Sequence, residues 1–568
     1  MGENRRTVQT EAMYLSPSRK VALLNFSKRY YTNMFEMVNS DELKTLVRIY
    51  LESVNHAERD DAFENQTAEE YISVLKKVLM DDISAFDHFS RDEILDSVEN
   101  FYTYYRSFLR VSIMDYNTNK IVGAKFREVD NFFNDHVRAL YRTIEEKLQG
   151  HPNKVYRQLD SGTNAAMLLT RHHWKMPKEY QALKDVPFID RVMMRPPLMM
   201  HTKSNKREGV FSAVDDNPVD KFAEQNGQWL CYPAKIGESL TFIYFDVDYL
   251  VNGLALSNLF QLASAKEIRD QKPDEIVLFG LTPTEGDVSH YYHDEANDIW
   301  VAEVPYNDKT TYFGYMKKIC LTVHNLHQIY RGRLPIHGSM VKITFSNGKQ
   351  RNVVFFGDSG AGKSESLEAL QEVADDKIAS LETIFDDMGS FTIDDTVKNG
   401  ISAQGTEIGA FVRLDDLSSA VAFDNMDRGI YLNPERKNAR VIIPADSWEH
   451  VVQHHHVDMW VYANNYDKEI GIHRFENEEE AKKTFIAGKR MALGTTDEVG
   501  FSTTFFANPF GPVQEEAKTR PIIDKVFKTL FDHDVYVGEI YTHLGNDKSK
   551  DALQESAKEL LHVLLTDD

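Results

Sequence analysis

A glycine-rich turn between an apolar run and a helical pattern carries the clearest chemical signal in the chain. The stretch "VVFFGDSGAGKSESLEAL", residues 353–370, satisfies G-x-x-x-x-G-K-[ST]. Glycines allow successive backbone N–H groups to point inward at an anion. Lys363 would bridge the terminal phosphates, and the Ser364 hydroxyl would bind a divalent cation at the start of the helix. The pattern therefore predicts a phosphate-binding loop made of Gly357, Asp358, Ser359, Gly360, Ala361, Gly362, Lys363, Ser364 and Glu365.

Phosphoryl transfer also needs carboxylates that hold the metal ion. Asp386 and Asp387 follow an apolar run in "ETIFDDMGSF", where side chains emerge at the end of a strand. Asp375 and Asp376 are nearer to the loop in sequence, but "VADDKIASLE" is typical of the solvated end of a helix. We therefore expect Asp386 and Asp387 to serve the phosphate site.

The bulk composition narrows the class of partner. A chain of 568 residues with a formal net charge of -23 is a poor match for nucleic acid, whose phosphates are met by Lys and Arg. Two cysteines imply no disulfide framework and fit a reducing compartment. No window approaches 18 uncharged apolar residues, so we expect no membrane partner and a cytoplasmic location.

The elements that must position these residues differ along the chain. From about residue 25 to 150, stretches such as "VDNFFNDHVRALYRTIEEKL" place apolar residues three and four apart, which predicts an all-α region. Gly150 and Pro152 interrupt that pattern. Beyond about residue 185, runs such as "LTFIYFDVDYLV" favour strands. Near residue 335 a second mixed segment begins, with a predicted hairpin turn at 346–348, and from about 515 the pattern is again helical.

We therefore predict an α/β protein with three parts. Residues 1–150 form a helical N-terminal region, residues 151–330 an α/β substrate-side domain, and residues 331–568 a P-loop domain that binds nucleotide and metal.

Six short stretches, in order along residues 300–515, resemble the ATP-dependent phosphoenolpyruvate carboxykinases. They are "YFGYMKK", "IHGSM", "GDSGAGKSE", "FDDMGSF", "NARVIIP" and "GTTDEVGFSTTFFANPFG". The resemblance implies a carboxykinase-like fold, in which a P-loop mixed-sheet core binds the nucleotide beside an α/β substrate domain. It also implies ATP, Mg²⁺ and Mn²⁺ as cofactors.

The resemblance assigns roles residue by residue. Lys318, His337 and Asp387 match the ligands of the catalytic Mn²⁺, and Ser364 matches the ligand of the nucleotide's Mg²⁺. The other matching positions are expected to be catalytic, and they are Tyr312 on the substrate side, Arg440 at the transferred phosphoryl group, and Ser359, Lys363 and Asp386 around the loop.

The implied reaction has two steps. Oxaloacetate loses CO₂, and the enolate oxygen then attacks the γ-phosphate of ATP. Electrostatic stabilisation of the developing charge would supply most of the catalysis.

Four features depart from the family. The substrate-binding arginine segment has no clear counterpart, and the nearest candidate, "MRPPLMMHTKSNKREGVF", offers Arg195, Lys206 and Arg207. An acidic pair, Asp497-Glu498, stands where the family has an arginine near the base. The spacing from Lys363 to Asp386 is longer, and residues 1–150 have no equivalent.

These departures leave the phosphoryl acceptor open. "GDSGAGKSE" and "IHG" also resemble the bacterial kinase that phosphorylates the carrier protein HPr, so another small molecule or a protein hydroxyl is an alternative acceptor. A nucleotide-sensing regulator whose helical region binds a partner is a third possibility. His454, His455 and His456 alternate between strand faces, and we expect them to be half-buried or solvated rather than a metal site.

Overall fold

A computed structural model describes residues 7–56, 61–115, 122–206, 211–283, 288–414, 425–493, 499–545 and 550–566. The chain divides into two compact units. Unit 1 holds residues 1–172, 186–202 and 247–254, and unit 2 holds residues 173–185, 203–246 and 255–568. This division differs from the predicted boundaries at 150 and 330, because most of the expected substrate-side domain is in the same unit as the P-loop.

The strands, numbered along the chain, are β1 (Val8–Gln9), β2 (Met13–Ser16), β3 (Val21–Asn25), β4 (Leu109–Asp115), β5 (Ala165–Thr170), β6 (Phe188–Met194), β7 (Leu198–Met200), β8 (Phe211–Ala213), β9 (Trp229–Ile236), β10 (Ser239–Asp246), β11 (Gln261–Leu262), β12 (Glu275–Leu281), β13 (Ser289–Asp294), β14 (Ile299–Pro305), β15 (Leu334–Phe345), β16 (Gln350–Phe356), β17 (Ile378–Phe385), β18 (Met388–Ile393), β19 (Ile401–Gly405), β20 (Gly409–Arg413), β21 (Ile430–Leu432), β22 (Arg440–Pro444), β23 (His455–His456), β24 (Met459–Asn464), β25 (Ile472–Arg474), β26 (Lys489–Leu493), β27 (Val499–Thr503) and β28 (Tyr536–Tyr541).

The α-helices are α1 (Met34–Val38), α2 (Asp41–His56), α3 (Ala68–Leu79), α4 (Arg91–Arg106), α5 (Val122–Gln149), α6 (Val219–Phe222), α7 (Leu250–Ala255), α8 (Ala265–Asp270), α9 (Phe313–Tyr330), α10 (Lys363–Ala374), α11 (Trp448–Val451), α12 (Glu478–Ala487), α13 (Glu516–Asp532) and α14 (Lys550–Thr566).

Unit 1 is mixed rather than all-α. Helices α1 to α5 are present as the periodicity predicts, but β1 to β6 form a sheet in chain order. Strands β3, β4 and β5 are parallel, and β1, β2 and β6 extend the sheet in antiparallel pairs. The all-α prediction for residues 1–150 was wrong. Strand β3 is a short buried apolar run that periodicity cannot separate from buried helix, whereas β4 alternates apolar with polar residues from Leu109 to Ile113, a strand signal that the prediction overlooked.

Unit 2 contains two large mixed sheets. The first has the strand order β9-β10-β12-β14-β13-β8, and the second has the order β23-β19-β18-β15-β16-β24-β28-β25. Helix α9 packs against β12 and β14 of the first sheet and against β15 of the second. The mixed α/β class is therefore confirmed, and α9 lies between the two sheets.

The predicted hairpin is confirmed. Strands β15 and β16 are antiparallel, and Gly348 at the turn takes a φ of +87°. The C-terminal prediction was partly wrong, because β28 lies between α13 and α14 and pairs in parallel with β24. In the described segments, no helix is both long enough and apolar enough to cross a bilayer.

Strand β15 gives a test of the close packing around the site. A Cβ on Gly338 would lie 2.4 Å from the carbonyl oxygen of Phe355, which belongs to the backbone of β16. Gly338→Ala should therefore lower the melting midpoint, at a cost of about 1–3 kcal/mol for overpacking. Ser339→Ala is the matched control, because the buried Ser339 hydroxyl makes no hydrogen bond within the described residues. Equal melting midpoints for the two variants in circular dichroism would contradict this packing.

Candidate phosphate and metal site

The predicted phosphate loop joins β16 to α10 in unit 2. Gly360 and Gly362 take φ angles of +78° and +105°, in the left-handed region that glycine favours. A Cβ on Gly362 would lie 2.8 Å from the Thr542 side chain, so the loop needs glycine there for space as well as conformation. Lys363 begins the helix, and its Nζ donates to the Gly357 carbonyl at 2.6 Å. Burial lowers the pKa of Lys363, although the neighbouring carboxylates act in the opposite direction.

Side chains from outside the loop hold its backbone in place. The Arg490 guanidinium contacts Asp358 Oδ2 at 3.1 Å through Nε and donates to the Ser359 carbonyl. Asn465 donates to the Gly360 carbonyl at 3.0 Å, and the Thr542 hydroxyl donates to the Ala361 carbonyl at 2.9 Å. With these carbonyls bonded from outside, the loop keeps a fixed backbone shape around its concave face.

His337 links the loop to the carboxylate pair. Its carbonyl accepts from the Gly357 N–H at 3.2 Å, and the next residue, Gly338, donates from its N–H to the Asp387 carbonyl at 3.0 Å. Its imidazole Nδ1 lies 3.7 Å from Asp358 Oδ1, and its Nε2 lies 3.3 Å from Asp387 Oδ1. The structure thus brings the phosphate loop, His337 and Asp387 into direct contact.

A buried ammonium group lies next to Asp387. Lys317 Nζ is 2.6 Å from Asp387 Oδ2 and 3.0 Å from Glu407 Oε1. Lys317 and Glu407 are almost fully buried, whereas the Asp387 side chain is 37% exposed. Both Asp387 oxygens therefore contact a side chain, His337 or Lys317, while the carboxylate stays partly open to solvent.

The charges of this cluster set its protonation. Burial alone would raise the pKa of Asp387, but Lys317 and His337 hold it well below its usual range. Desolvation by the surrounding residues, and then the charge of Asp387, raise the pKa of the adjacent Asp386, although Asp386 remains exposed at the surface. Burial also raises the pKa of Glu407 to about 7, although Lys317 opposes that shift. The cluster therefore combines an ionised carboxylate with a neighbouring one that titrates near neutrality.

The lysine that contacts Asp387 is Lys317, whereas the sequence pointed to Lys318. Lys318, predicted as a metal ligand, follows Lys317 on α9, and consecutive helical side chains point about 100° apart. Lys317 is buried against the carboxylates, whereas Lys318 is partly exposed. The contact with Asp387 therefore belongs to Lys317.

Two other predicted residues meet at a phenyl ring that the sequence did not single out. The Phe411 ring lies 6.0 Å from the Tyr312 ring, centroid to centroid, and 5.4 Å from the Arg440 Cζ. Lys317 Nζ lies 5.7 Å from the same ring. Tyr312, Arg440 and the Lys317 cluster therefore share one neighbourhood in unit 2, with two cations at one aromatic ring.

The donor set fits a divalent cation at His337 and Asp387. His337 Nδ1 lies 2.8 Å from the Ala507 carbonyl, which can only accept, so Nδ1 carries the proton. In the neutral imidazole, Nε2 then presents a lone pair toward a carboxylate oxygen 3.3 Å away, and only a proton or a cation can stabilise that pair. Among the described residues, no three His, Cys, Asp or Glu side chains converge as a metal-ligand set, so other ligands would have to come from an amine, a hydroxyl or the substrate.

Some predicted residues are placed elsewhere or are not described. Arg195, the candidate for substrate binding, belongs to unit 1, where its guanidinium contacts Asp130 and Asn131. Arg207 and residues 494–498, which include the acidic pair near the base, lie outside the described residues. Ser364 and Glu365 are exposed at the start of α10.

The remaining acidic pair and the histidines follow the sequence interpretation. Asp375 and Asp376 are exposed where α10 ends. His454 and His456 are bonded to Ser402 and Asp458 on the second sheet. Burial lowers the pKa of the half-buried His455 to about 4, which favours the neutral imidazole.

The residues that sequence reasoning missed had weak local signals. Lys317 could have been found from its helical phase, and Arg490 from its place just before the threonine-rich stretch. Glu407 and Phe411 carry no pattern of their own. Glu407 follows β19, which pairs with β18 next to Asp387, and Phe411 lies on β20, which pairs with β22.

Comparison with models of known protein families and with curated proteins found no match for this chain.

Glu407 gives a pH test of the cluster. The folded protein holds the Glu407 proton up to about pH 7, whereas an unfolded chain releases it near pH 4.3, at the reference value of about 4.3 for Glu. This group therefore contributes stability that is complete below the unfolded pKa and is lost as the pH rises to the folded pKa. Glu407→Gln should remove that loss, so the variant should gain stability relative to wild type between pH 5 and pH 8. A difference in melting midpoint that is the same at both pH values would contradict the assignment.

Proposed function

We propose that this chain is a carboxykinase-type enzyme that uses ATP, Mg²⁺ and Mn²⁺ to decarboxylate oxaloacetate and phosphorylate the resulting enolate. One observation carries the proposal: His337 contacts both the phosphate loop at Asp358 and the carboxylate pair at Asp387. A glycine-rich loop alone would support only anion binding. The same loop in contact with an imidazole and two adjacent carboxylates supports metal-assisted transfer of the phosphate.

The loop and its neighbours would bind the nucleotide. The backbone N–H groups of Gly360, Gly362 and Lys363 would face the polyphosphate, while the Ala361 N–H donates to the Asp358 carbonyl within the loop. The Lys363 ammonium would leave the Gly357 carbonyl to bridge the terminal phosphates. Ser364 and Asp386 would hold the nucleotide-bound Mg²⁺, while His337 and Asp387 would hold Mn²⁺. When bound, the two cations supply charge neutralisation at the phosphoryl and enolate oxygens.

The cations around Phe411 would bind the reacting acceptor. When the carboxylate of oxaloacetate leaves as CO₂, the electron pair of the broken C–C bond stays on the substrate as an enolate. Arg440 and Lys317 would stabilise this enolate because both carry permanent positive charge near the same ring. The enolate oxygen then forms a bond to the γ-phosphorus, and the bond from that phosphorus to the bridging oxygen breaks to release ADP.

A different acceptor is the second candidate. The Arg195 guanidinium lies 2.5 Å from the buried Asp130 carboxylate, so it is already paired and is not set up to anchor a substrate carboxylate. A kinase that phosphorylates another small-molecule or protein hydroxyl, like the kinase of HPr, needs the loop and the metal carboxylates but not that arginine.

Lys363→Met tests the phosphoryl-transfer proposal. The variant should lose transfer from γ-labelled ATP by about a thousandfold or more, because the charge on the transferred phosphate is no longer neutralised. Lys377→Met, at the far end of α10, is the control and should keep wild-type activity. The assay measures CO₂ release from oxaloacetate together with ADP formation. ADP formation and acceptor labelling without CO₂ release would support the second candidate, and unchanged transfer in Lys363→Met would contradict both.

Arg490→Lys tests how the loop is held. Lysine carries a single ammonium that cannot replace a guanidinium in contact with both Asp358 and the Ser359 carbonyl. We expect about tenfold weaker ATP binding in calorimetry, since one charge-assisted contact is lost. Arg331→Lys, at an exposed ion pair with Asp274, should leave the affinity unchanged. Wild-type affinity in Arg490→Lys would mean that the loop keeps its shape without this guanidinium.

A further inference from the structure

Beneath α9 lies a buried carboxylate that the proposed reaction does not use. Glu275, at the start of β12, is fully buried. Its Oε1 accepts from His324 Nδ1 at 3.1 Å and from His327 Nδ1 at 3.0 Å. Its Oε2 accepts from the Thr241 hydroxyl at 2.5 Å. Since a carboxylate oxygen only accepts, both imidazoles must present N–H groups to the same atom.

Both imidazoles project from the helix that carries Lys317. Lys317 and His324 are seven residues apart, so they lie on nearly the same face of α9, two turns from each other. His327 follows three residues later and lies beside His324 on that face. The face that meets Glu275 therefore also presents Lys317 to Asp387 and Glu407.

Apolar packing alone does not define the rotation of this helix. Nearly every residue from Phe313 to Ile329 is buried, so burial does not distinguish one face of α9 from another. Hydrophobic contacts are non-directional, whereas hydrogen bonds to a buried carboxylate hold only at defined angles. A rotation of α9 by one residue would carry both imidazoles away from Glu275 and place Lys318 where Lys317 now meets Asp387.

We infer that Glu275 is a positioning residue that fixes the rotation of α9 through His324 and His327 and so holds Lys317 against Asp387 and Glu407. Its catalytic consequence rests on the proposed phosphoryl transfer, whereas its effect on the Lys317 contact does not.

Two substitutions at Glu275 test whether its hydrogen bonds, rather than its volume, position α9. Glu275→Gln keeps an oxygen that can accept from both imidazoles, and its amide can donate to Thr241. Glu275→Leu keeps most of the volume but leaves all three donors without an acceptor. We expect Glu275→Leu to lower kcat about 10-fold to 100-fold with little change in the affinity for ATP, because Lys317 is displaced and the phosphate loop is not. Glu275→Gln should restore kcat to within about threefold of wild type, since the hydrogen bonds are regained.

Glu303 on the neighbouring strand β14 provides the matched control. It is also a buried carboxylate in the first sheet, and it pairs with Lys221 at 2.7 Å and with His290 at 3.0 Å, both away from α9. Glu303→Leu should lower the melting midpoint as Glu275→Leu does but leave kcat unchanged. A fall in kcat as large in Glu303→Leu, or no recovery in Glu275→Gln, would overturn the inference.

A zero-length cross-link reads the Lys317 contact without relying on activity. Carbodiimide joins an amine to a carboxylate that touches it, and mass spectrometry then measures the yield of peptides linking Lys317 to Asp387 or Glu407. The yield should be equal in wild type, Glu275→Gln and Glu303→Leu, and it should fall about fivefold or more in Glu275→Leu, because the contact is lost. If Glu275→Leu does not fold, Glu275→Asp, whose shorter side chain cannot reach both imidazoles, should give an intermediate loss.

The two readouts keep this inference separate from the proposed function. Wild-type protein without any phosphoryl transfer would remove the proposed function, and the cross-link yields would still decide the role of Glu275. Unchanged yields in both Glu275→Leu and Glu275→Asp would overturn the positioning role, even in an active enzyme.

Discussion

The candidate site depends on strand β15, which pairs with β16, the strand that leads to the glycine-rich loop, and with β18, the strand that follows the two carboxylates. His337 lies on β15 where the two pairings meet. Its carbonyl and imidazole contact the loop at Gly357 and Asp358, and its imidazole contacts Asp387. Because a strand fixes the direction of each side chain, the loop and the carboxylates keep their separation without a bound ligand.

The second requirement is charge balance. Two adjacent carboxylates that are partly open to solvent lie beside the buried Glu407, and three acidic groups so close together are costly unless cations accompany them. The Lys317 ammonium contacts Asp387 and Glu407. The Arg440 guanidinium lies near the Phe411 ring, which Lys317 also approaches. The Lys317 ammonium therefore already neutralises part of the negative charge that would otherwise attract a divalent cation. If a divalent cation bound here, an anionic ligand bound with it would restore the balance of charge.

The glycine-rich turn between β16 and α10 and the place of Asp386-Asp387 at a strand end could be predicted from sequence because each depends on local rules. The loop is one short glycine pattern, and Asp386-Asp387 follow directly from an apolar strand. Lys317 was missed because the choice between two adjacent lysines depends on how α9 is rotated, which its buried imidazoles and Glu275 determine. Glu407, Phe411 and Arg490 were missed because each lies far along the chain from the residue that it contacts at the site, and only the folded chain brings the partners together. Strand β3 was missed because a short buried apolar run carries no periodicity of its own, whereas the alternation in β4 was overlooked between long helical stretches.

The most direct test of the account is the position of manganese in crystals grown with Mn²⁺ and a non-hydrolysable ATP analogue. Anomalous scattering at the manganese edge locates that ion independently of the protein density. The account predicts a peak bonded to His337 Nε2 and an Asp387 oxygen, beside a nucleotide whose terminal phosphates lie on the loop from Gly357 to Ser364. Nucleotide bound in the loop with no peak at His337 and Asp387, or nucleotide bound away from the loop, would contradict it.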